Sequence, residues 1–500
     1  MTQAGTRASA LAAVGAGGGA GTRLWPFALV LFFATGPIAF HFTTPVVSQD
    51  EAVLLVHANQ VLRGLVPHRD FFSPYGPAST YSVAAFFKIL GPQYLAERLL
   101  GMLYHVLLAV GVQQATRSWG RGPACLAGSL CGLFLLPLQL VAFAWIAGLA
   151  CLVWGVALMQ KSSCSSVVMG AATAGLASAW RPELLLPALG VALILAPRRA
   201  RTLAAFGLVV GVLPVCAHMM IAGGSFIENV LLGRLGLNAQ HDLGDIPAFI
   251  WVAAALVCLE TLSLVRAAVR SRERVDAALA NLCVIILPQT AQRLDMEHAF
   301  YTLCVIAPLA VSQQLRTHRF WATSPSAAPP FARVAKLSTF AVAAGLTAHS
   351  VAALFLGPQH MVGDGPRALP VTDSREARLL KQVLTGVRKS SPAGTTIFVG
   401  TQDMSRPSLP DLRLYQLLPE FIARGYYLDL PPGVAERRGS GLERDIQNAG
   451  VLVLIATPPR GTPGYVTHAG HGAPDANAAA NRFCTITENS VAEVRRPCQH

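Results

Sequence analysis

The chain has 500 residues, of which 53% are hydrophobic and only 13% are charged, and its mean hydropathy is +0.47. This composition is that of an integral membrane protein. The net charge of +13 does not indicate a nucleic-acid partner, because most basic residues cluster at the ends of apolar segments. Basic residues in such positions set the orientation of membrane spans.

The apolar segments predict about eleven transmembrane helices, which make a mainly α-helical polytopic domain over residues 24–357. Residues 1–23 form a low-complexity basic tail, predicted to be disordered in the cytoplasm, and Leu24–Val47 is predicted to be an uncleaved first span. Basic clusters fall on alternate sides of one path, which leaves everything after Gly357 outside. Later predicted spans include Leu99–Ala115, Pro123–Leu138, Val141–Met159, a segment ending at Leu195, Ile250–Val265 and Leu337–Leu356.

Residues 358–500 change character and predict a small extracytoplasmic α/β domain. Short apolar runs at Thr395–Gly400 and Val451–Ala456 read as buried strands, and helical spacing appears at Ser374–Lys389 and Leu412–Arg424. Cys484 and Cys498 are the only cysteines of this tail. Outside the cell they could form a disulfide or remain free thiols, and the sequence leaves both alternatives open.

An external loop, residues 48–97, follows the first span and begins with the carboxylate pair Asp50-Glu51. Taken alone, this pair could be a solvated acidic start of a loop. The stretch Glu51–Leu62 has apolar residues at helical spacing, which predicts an amphipathic helix on the membrane surface. The next stretch is rich in Pro, Gly and aromatic residues, which predicts a structured loop at headgroup depth.

The pair Asp50-Glu51, followed by the pattern G-x-x-P-x-R-D-F-F-x-P-Y-G-P at Gly64–Pro77, resembles the first external loop of GT-C glycosyltransferases. The similarity is to the branch that contains protein O-mannosyltransferases and the aminoarabinose-lipid A transferase. The resemblance implies a sugar donor linked to polyprenyl phosphate. It also implies that Asp50 is the catalytic base and that Glu51 is its acidic companion, which orients the acceptor or modulates the pKa of Asp50.

The segment Gln292–His298, QRLDMEH, concentrates charge between two apolar segments on the predicted external side. Ionisable residues at such positions are costly and are usually functional. Its R-x-D-x-x-H element, formed by Arg293, Asp295 and His298, resembles one found in bacterial members of the family. The alternative is an ordinary polar loop tip.

Arg181 and Glu183 interrupt another hydrophobic run, Trp180–Pro187. Arg181 could clamp the donor phosphate through charge-assisted hydrogen bonds. It could equally form a local ion pair with Glu183 at a helix break around Pro182.

The resulting hypothesis is an inverting transfer in which Asp50 deprotonates an acceptor hydroxyl and cations offset the charge of the leaving phosphate. The candidates for that offset are, in order, Arg293, Arg181, Arg69 and His298. The predicted substrate-binding residues are Arg69, Asp70, Arg181, Arg293, Asp295 and His298. No cofactor is required and no spacing specifies a metal, although a divalent cation could bind Asp50, Glu51, Asp70 or Asp295.

The predicted partners are membrane lipid, the polyprenyl-phosphate sugar donor and a glycan, lipid or protein acceptor. The Ala-, Gly- and Arg-rich composition indicates a bacterial chain, and hence the cytoplasmic membrane with the site facing outward. The alternative function is a transporter or a flippase for lipid-linked sugars, which predicts repeats or paired interrupted helices. The sequence does not identify the sugar, the acceptor, the polyprenyl length or the oligomeric state.

Overall fold

The computed structural model is a bundle of apolar helices followed by a small α/β region. It describes residues 21–36, 41–46, 50–161, 163–232, 248–292, 296–321, 360–371, 373–404, 411–423, 442–456 and 474–498, with the single positions 341, 345 and 348. The predicted span Leu337–Leu356 therefore lies almost entirely outside the described residues, as do Arg293 and Asp295.

The main described helices of the bundle lie before residue 322. Their bounds are α1 Gly21–Thr35, α2 Asp50–Leu62, α3 Pro77–Leu90, α4 Tyr94–Ala115, α5 Arg121–Phe134, α6 Ala144–Met159, α7 Cys164–Leu176, α8 Leu185–Leu195, α9 Arg201–Ala222, α10 Ala248–Ser271, α11 Arg274–Ile286 and α12 Met296–Trp321. Among the described residues, four stretches are long and apolar enough to cross a bilayer: Tyr94–Ala115, Arg121–Leu138, Arg198–Ala222 and Trp251–Ser271. The helical bundle is confirmed, and the number of spans stays a prediction.

The first apolar segment is shorter as a helix than the sequence predicts. Helix α1 ends at Thr35, and residues 41–43 form a separate 3-10 turn, so Leu24–Val47 is not one continuous helix. The sequence Gly36-Pro37 explains the end, because a proline disfavours helical backbone in the residue before it.

Helix α2 is confirmed as a helix, but it is not the exposed amphipathic helix that the sequence predicts, and its place relative to the membrane stays a prediction. Every residue from Glu51 to Ala58 is buried, and the apolar ones belong to the main hydrophobic core. In this half of α2 protein covers every side, so neither an apolar face nor a polar face is exposed. The sequence pattern could not show this, because the covering residues come from distant parts of the chain.

One end of the bundle is fastened by a polar cluster around Asp276 on α11. Its carboxylate accepts hydrogen bonds from the indole of Trp119 at 2.7 Å and from Arg316 at 3.2 Å. Arg316 also pairs with Glu273 at 2.6 Å. These residues lie in loops and helix ends that the charge pattern predicts to be cytoplasmic, so the structure brings the predicted cytoplasmic connections together.

The described residues from His360 onward are called the C-terminal domain below. Its helices are α13 Ser374–Ser390, α14 Arg413–Leu417, α15 Leu442–Gln447 and α16 Pro474–Ala480. Its strands are β1 His360–Val362, β2 Leu369–Val371, β3 Thr396–Thr401, β4 Ile422–Ala423, β5 Val451–Ile455, β6 Phe483–Glu488 and β7 Ala492–Pro497. Strands β1 and β2 pair with each other, and the remaining strands form a sheet in the order β4-β3-β5-β7-β6.

The sheet explains the continuous apolar run of β5. Val451 and Val453 face the main core, which also contains the apolar side of α13, whereas Leu452 and Leu454 face a second core with α15 and α16. A strand covered on both faces needs apolar residues at every position. The two strands predicted from the sequence are β3 and β5, and the predicted helix at Ser374–Lys389 is α13, so these predictions are confirmed.

The predicted helix Leu412–Arg424 is largely wrong. The structure has only the short α14, followed by strand β4 at Ile422–Ala423. Pro419 accounts for the difference, since a proline within a helix removes a hydrogen bond and clashes with the preceding turn. Residues 424–441, which include Arg424 at the end of the predicted helix, lie outside the described residues.

Cys484 and Cys498 form a disulfide, which resolves the alternative that the sequence left open. The bridge spans 14 residues and closes the hairpin of β6 and β7 at its open end. The other eight cysteines are free thiols. Such a bridge is stable on the oxidising side of a membrane.

We expect Cys484→Ser with Cys498→Ser to lower the unfolding midpoint, because a loop of this length contributes about 3 kcal/mol in the chain-entropy model. Thermal unfolding of the purified membrane protein would measure the change. Cys164→Ser, at an exposed free cysteine, is the matched control and should melt like the wild type. Alkylation of the denatured wild type without reductant should label eight cysteines, and labelling of all ten would contradict the bridge.

Candidate active site

The carboxylate pair predicted from the sequence lies in the first turn of α2. Asp50 is the first residue of this helix, and Glu51 follows it. A carboxylate in the first turn is favoured by the partial positive charge of a helix N-terminus. Helix α2 therefore begins with both carboxylates in its first turn.

Glu51 forms a completely buried ion pair with Arg98 of α4. Nε of Arg98 donates to Oε1 of Glu51 at 2.6 Å, and Nη2 donates to Oε2 at 2.9 Å, while both side chains are at most 1% exposed. This is the two-pronged geometry in which guanidinium and carboxylate bind most specifically. Away from water, neither charge could be left without the other.

Arg98 also binds the chain that leads into α2. Nη1 donates to the carbonyl oxygens of His41, Phe42 and Thr44 at 2.8 to 2.9 Å, and Nη2 donates to that of Pro45 at 3.3 Å. One guanidinium thus holds residues on both sides of the short segment that ends at Asp50. The position of Asp50 depends on Arg98 through these bonds.

Glu97, the neighbour of Arg98, connects this centre to the connection between α5 and α6. Its carboxyl group accepts a hydrogen bond from the backbone N–H of Ala142 and lies close enough to Glu51 for the two groups to interact. The connection presses tightly on α4: a Cβ at Gly101 would lie 1.8 Å from the carbonyl oxygen of Leu140. Only glycine permits this approach, so the backbone of α4 directly contacts the backbone of Leu140 and Val141.

The second charged centre surrounds Arg181, which is 6% exposed. Its Nε donates to Glu183 at 2.7 Å and its Nη2 to the side-chain oxygen of Gln289 at 3.3 Å. Its guanidinium also lies 5.1 Å from the ring centre of Trp145 and 5.8 Å from that of Tyr75. The local ion pair considered from the sequence is therefore present, within an aromatic setting that the sequence did not indicate.

The loop Gly64–Pro77 reaches the same place. The backbone N–H of Gly76 donates to the carbonyl of Trp180 at 2.8 Å, and a Cβ at Gly76 would lie only 2.3 Å from the carbonyl oxygen of Ala179. This glycine lets the loop pack against the residues that precede Arg181. The P-Y-G-P part of the sequence motif is thus the part that contacts the second centre.

Arg69 and Asp70 form a two-pronged ion pair of their own, at 2.9 and 2.8 Å, on the exposed side of this loop. Asp70 also accepts the N–H of Val66 at 2.7 Å. The hydrogen bond from Arg69 holds the pKa of the Asp70 carboxyl below its usual value. Because the Arg69 side chain remains 49% exposed, it is open to a ligand, whereas Asp70 shapes the turn.

Buried histidines pack against the loop Gly64–Pro77. His68, in the left-handed region at φ 66°, donates Nε2–H to the carbonyl of Tyr75 at 2.9 Å, because that oxygen can only accept. Its Nδ1 therefore accepts from Nε2–H of His218 on α9, also at 2.9 Å. Asn229 donates to the His68 carbonyl at 3.3 Å, and His57 lies buried on α2 nearby.

Only part of the predicted R-x-D-x-x-H element can be placed. His298 packs its ring against Tyr301 at 5.3 Å, and the carbonyl of Tyr301 accepts a hydrogen bond from Trp145 at 2.9 Å. Since Trp145 flanks Arg181, His298 belongs to the second centre. Arg293 and Asp295 lie outside the described residues and stay predictions.

The Glu51–Arg98 centre and the Arg181 centre are joined through one short segment, residues 142–145. Ala142 binds Glu97, Phe143 packs on Tyr301 at 5.2 Å between ring centres, and Trp145 faces Arg181. The structure therefore brings residues 51, 69–70, 75, 181–183 and 298 to one end of the bundle, opposite the Asp276 cluster. Among the described residues, no group of three or more His, Cys, Asp or Glu side chains could hold a metal ion.

Sequence reasoning missed Arg98, Glu97 and His218. The signal for the first two was the charged pair inside the otherwise apolar run Tyr94–Ala115, whose start the sequence prediction set at Leu99. A buried charge at the end of a span is costly unless it has a partner, and Glu51 is that partner. His218 had no such signal, because one histidine in an apolar helix is more often a core residue.

We expect Arg98→Met to destabilise the protein by about 3–5 kcal/mol, because it leaves the Glu51 carboxylate and several carbonyls buried without their donor. The combined variant Glu51→Gln with Arg98→Met should lose less, since the uncompensated charge is gone. Thermal unfolding in detergent would measure both. Arg444→Met, at a side chain that is 73% exposed, is the matched control. Equal melting of Arg98→Met and Arg444→Met would refute the interpretation.

Burial, with a smaller effect of neighbouring His218, lowers the pKa of His68 from 6.5 to about 4. Between these values the unfolded chain binds more protons than the folded one, so the stability that His68 contributes is complete above pH 6.5 and is lost as the pH falls toward 4. The full loss is about 3 kcal/mol. His68→Asn, which tolerates positive φ, should reduce the drop in unfolding midpoint between pH 7.5 and pH 5. An unchanged drop would exclude His68 as the cause.

No protein-family model matches the sequence, and neither does any curated protein. Solved structures do match. ArnT from Cupriavidus metallidurans bound to undecaprenyl phosphate superposes with a TM-score of 0.56 at 12% identity, over 96% of this chain and 98% of that chain. The apo state of the same ArnT gives 0.54 at 12% identity, over 95% and 97%. ArnT is an aminoarabinose-lipid A transferase of the GT-C class. The chain therefore has the fold of ArnT over nearly its whole length, and its long apolar helices fit a multi-pass membrane protein.

Proposed function

We propose that the protein is a membrane glycosyltransferase that moves a sugar from a polyprenyl-phosphate donor to a hydroxyl group of an envelope acceptor, with inversion at the anomeric carbon. The observation that carries this proposal is the grip of Arg98 on both flanks of Asp50, at the same end of the bundle as the buried Arg181. The ArnT structure with undecaprenyl phosphate supports a lipid-phosphate donor.

In the proposed reaction Asp50 acts as a general base. The acceptor oxygen forms a bond to the anomeric carbon as its proton passes to the Asp50 carboxylate, and the bond from that carbon to the phosphate oxygen breaks with its electron pair. One displacement with one base inverts the configuration. No second carboxylate is needed as a nucleophile.

Glu51 has a supporting part in this proposal. Both of its oxygens are bound by Arg98 and its side chain is not exposed, so it does not contact a substrate. It fixes the first turn of α2 and thereby the backbone of Asp50. We therefore assign Glu51 a positioning role rather than a direct contact with the acceptor.

Cations near the leaving group offset the charge that develops on the phosphate as the bond breaks. Arg181 is held beside aromatic rings and keeps a permanent charge at a nearly dry position, where electrostatic interactions are stronger than in water. His298 lies in the same centre, and the exposed Arg69 belongs to the loop above it. Arg293 and Asp295 complete the proposed binding set from the sequence alone.

The proposed location is the cytoplasmic membrane of a bacterium, with the N-terminus inside and the C-terminal domain outside. The disulfide in the C-terminal domain supports an oxidising exterior for that part of the chain. The clustered Trp119, Asp276 and Arg316 at the opposite end agree with the predicted cytoplasmic side. Donor and acceptor would then meet on the outer face.

We expect Asp50→Asn to reduce sugar transfer by about 10²–10⁴-fold, the usual contribution of a general base. The measurement is transfer of radiolabelled sugar from a panel of polyprenyl-phosphate sugars to membrane extracts, with the full chain in proteoliposomes. Asp364→Asn, at a carboxylate that is 86% exposed, is the matched control and should transfer at the wild-type rate.

The outcomes of this experiment separate the candidate functions. Transfer by the wild type that disappears in Asp50→Asn supports the base and identifies the donor. Transfer at equal rates in both proteins removes Asp50 from that role. No transfer with any donor, together with movement of lipid-linked sugar across the liposome membrane, would favour the flippase alternative instead.

A further inference from the structure

We infer that the C-terminal domain is a positioning element for α2, so that the reaction centre is complete only while this domain is docked on the helix. The inference rests on the proposed function, because α2 is the helix that begins with Asp50. It goes beyond a lid or an acceptor-docking module, since the contacts reach the helix itself and the chain that leads into it.

The first contact is the buried amide of Gln416 on α14. Its Oε1 accepts from Nδ2 of Asn59 on α2 at 2.8 Å, and its Nε2 donates to the carbonyl of Pro92, before α4, at 3.0 Å. Gln416 is 0% exposed. A buried amide that loses either partner carries the cost of an unsatisfied polar group, so the position of α14 relative to α2 is specified.

The second contact involves the last turn of α2 and backbone carbonyls of the C-terminal domain. Nη2 of Arg63 donates to the carbonyls of Pro419 and Phe421, both at 3.1 Å. Gln60 donates to the carbonyl of Ala423, in strand β4, at 3.0 Å. These bonds fasten the end of α2 to the edge of the sheet.

The third contact is on the other side of Asp50. The backbone N–H of Val46 donates to the carbonyl of Pro370, in β2, at 3.2 Å. The preceding Thr44 and Pro45 bind Arg98. The segment that leads into Asp50 is therefore held from one side by the bundle and from the other by the C-terminal domain.

These contacts seal a continuous apolar core. Leu369 and Leu417 of the C-terminal domain belong to the same buried cluster as Val53 and Leu54 of α2. Separation of the domain would expose this surface and release α2 at both ends. Because a misplacement of about 1 Å can reduce a rate by about 10²-fold, loosening α2 is sufficient to impair catalysis without any change in the substrate contacts.

The test uses the full chain in nanodiscs with two independent variants, Gln416→Leu and Arg63→Met. We expect kcat for sugar transfer to fall by about 10–10²-fold with the KM for the donor unchanged, because α2 moves while the donor contacts remain. Amide hydrogen exchange in α2 should become faster in both variants. Arg63→Lys, whose ammonium can still donate to the two carbonyls, should restore both values.

Arg378→Met is the matched control, because Arg378 is an exposed arginine of the same domain on α13. It should match the wild type in rate and in exchange. A rise in KM alone would overturn the inference in favour of a substrate-binding lid. Unchanged exchange in α2 would overturn it regardless of activity. If the wild type transfers no sugar, the proposed function fails, and the exchange measurement still decides whether the domain holds α2.

Discussion

The arrangement of this end of the molecule depends on the burial of one guanidinium. Arg98 is only 1% exposed, so its charge and its N–H donors must be matched by protein atoms. They are matched by Glu51 and by four carbonyls between His41 and Pro45, so that one side chain binds residues before and after the start of α2. A requirement of electrostatics thereby becomes a constraint on backbone geometry, at the residue for which we propose the chemistry.

Other buried polar side chains near this site are also held by hydrogen bonds within apolar surroundings. Arg181 is positioned by Glu183 and Gln289 and is covered by two aromatic rings, and His68 is held between a carbonyl and a second imidazole. In each case a side chain that could bind elsewhere has its hydrogen bonds directed by local packing. Such pre-organisation reduces the rearrangement that binding of the proposed lipid-phosphate donor would need.

Local pattern predicted what local interactions determine. The helix at residues 374–390, the strands β3 and β5 and the acidic first turn of α2 follow from periodicity and motif, and the ArnT comparisons confirm the fold that the motif implied. Partners far apart in sequence were not predictable. The pairing of Glu51 with Arg98 and the covering of α2 by Gln416 depend on tertiary contacts that carry no local signal. Conversely, the sequence could have shown that no single helix spans residues 412–424, because Pro419 lies within that range.

Strand β7, the last of the chain, does not lie at the edge of its sheet but between β5 and β6. During folding the sheet therefore lacks an interior strand until residues 492–497 have joined it. The surface that holds α2 cannot mature before then, although α2 itself was inserted hundreds of residues earlier. A chain that lacked β7 would leave the facing edges of β5 and β6 unpaired and would thereby weaken the surface that holds α2.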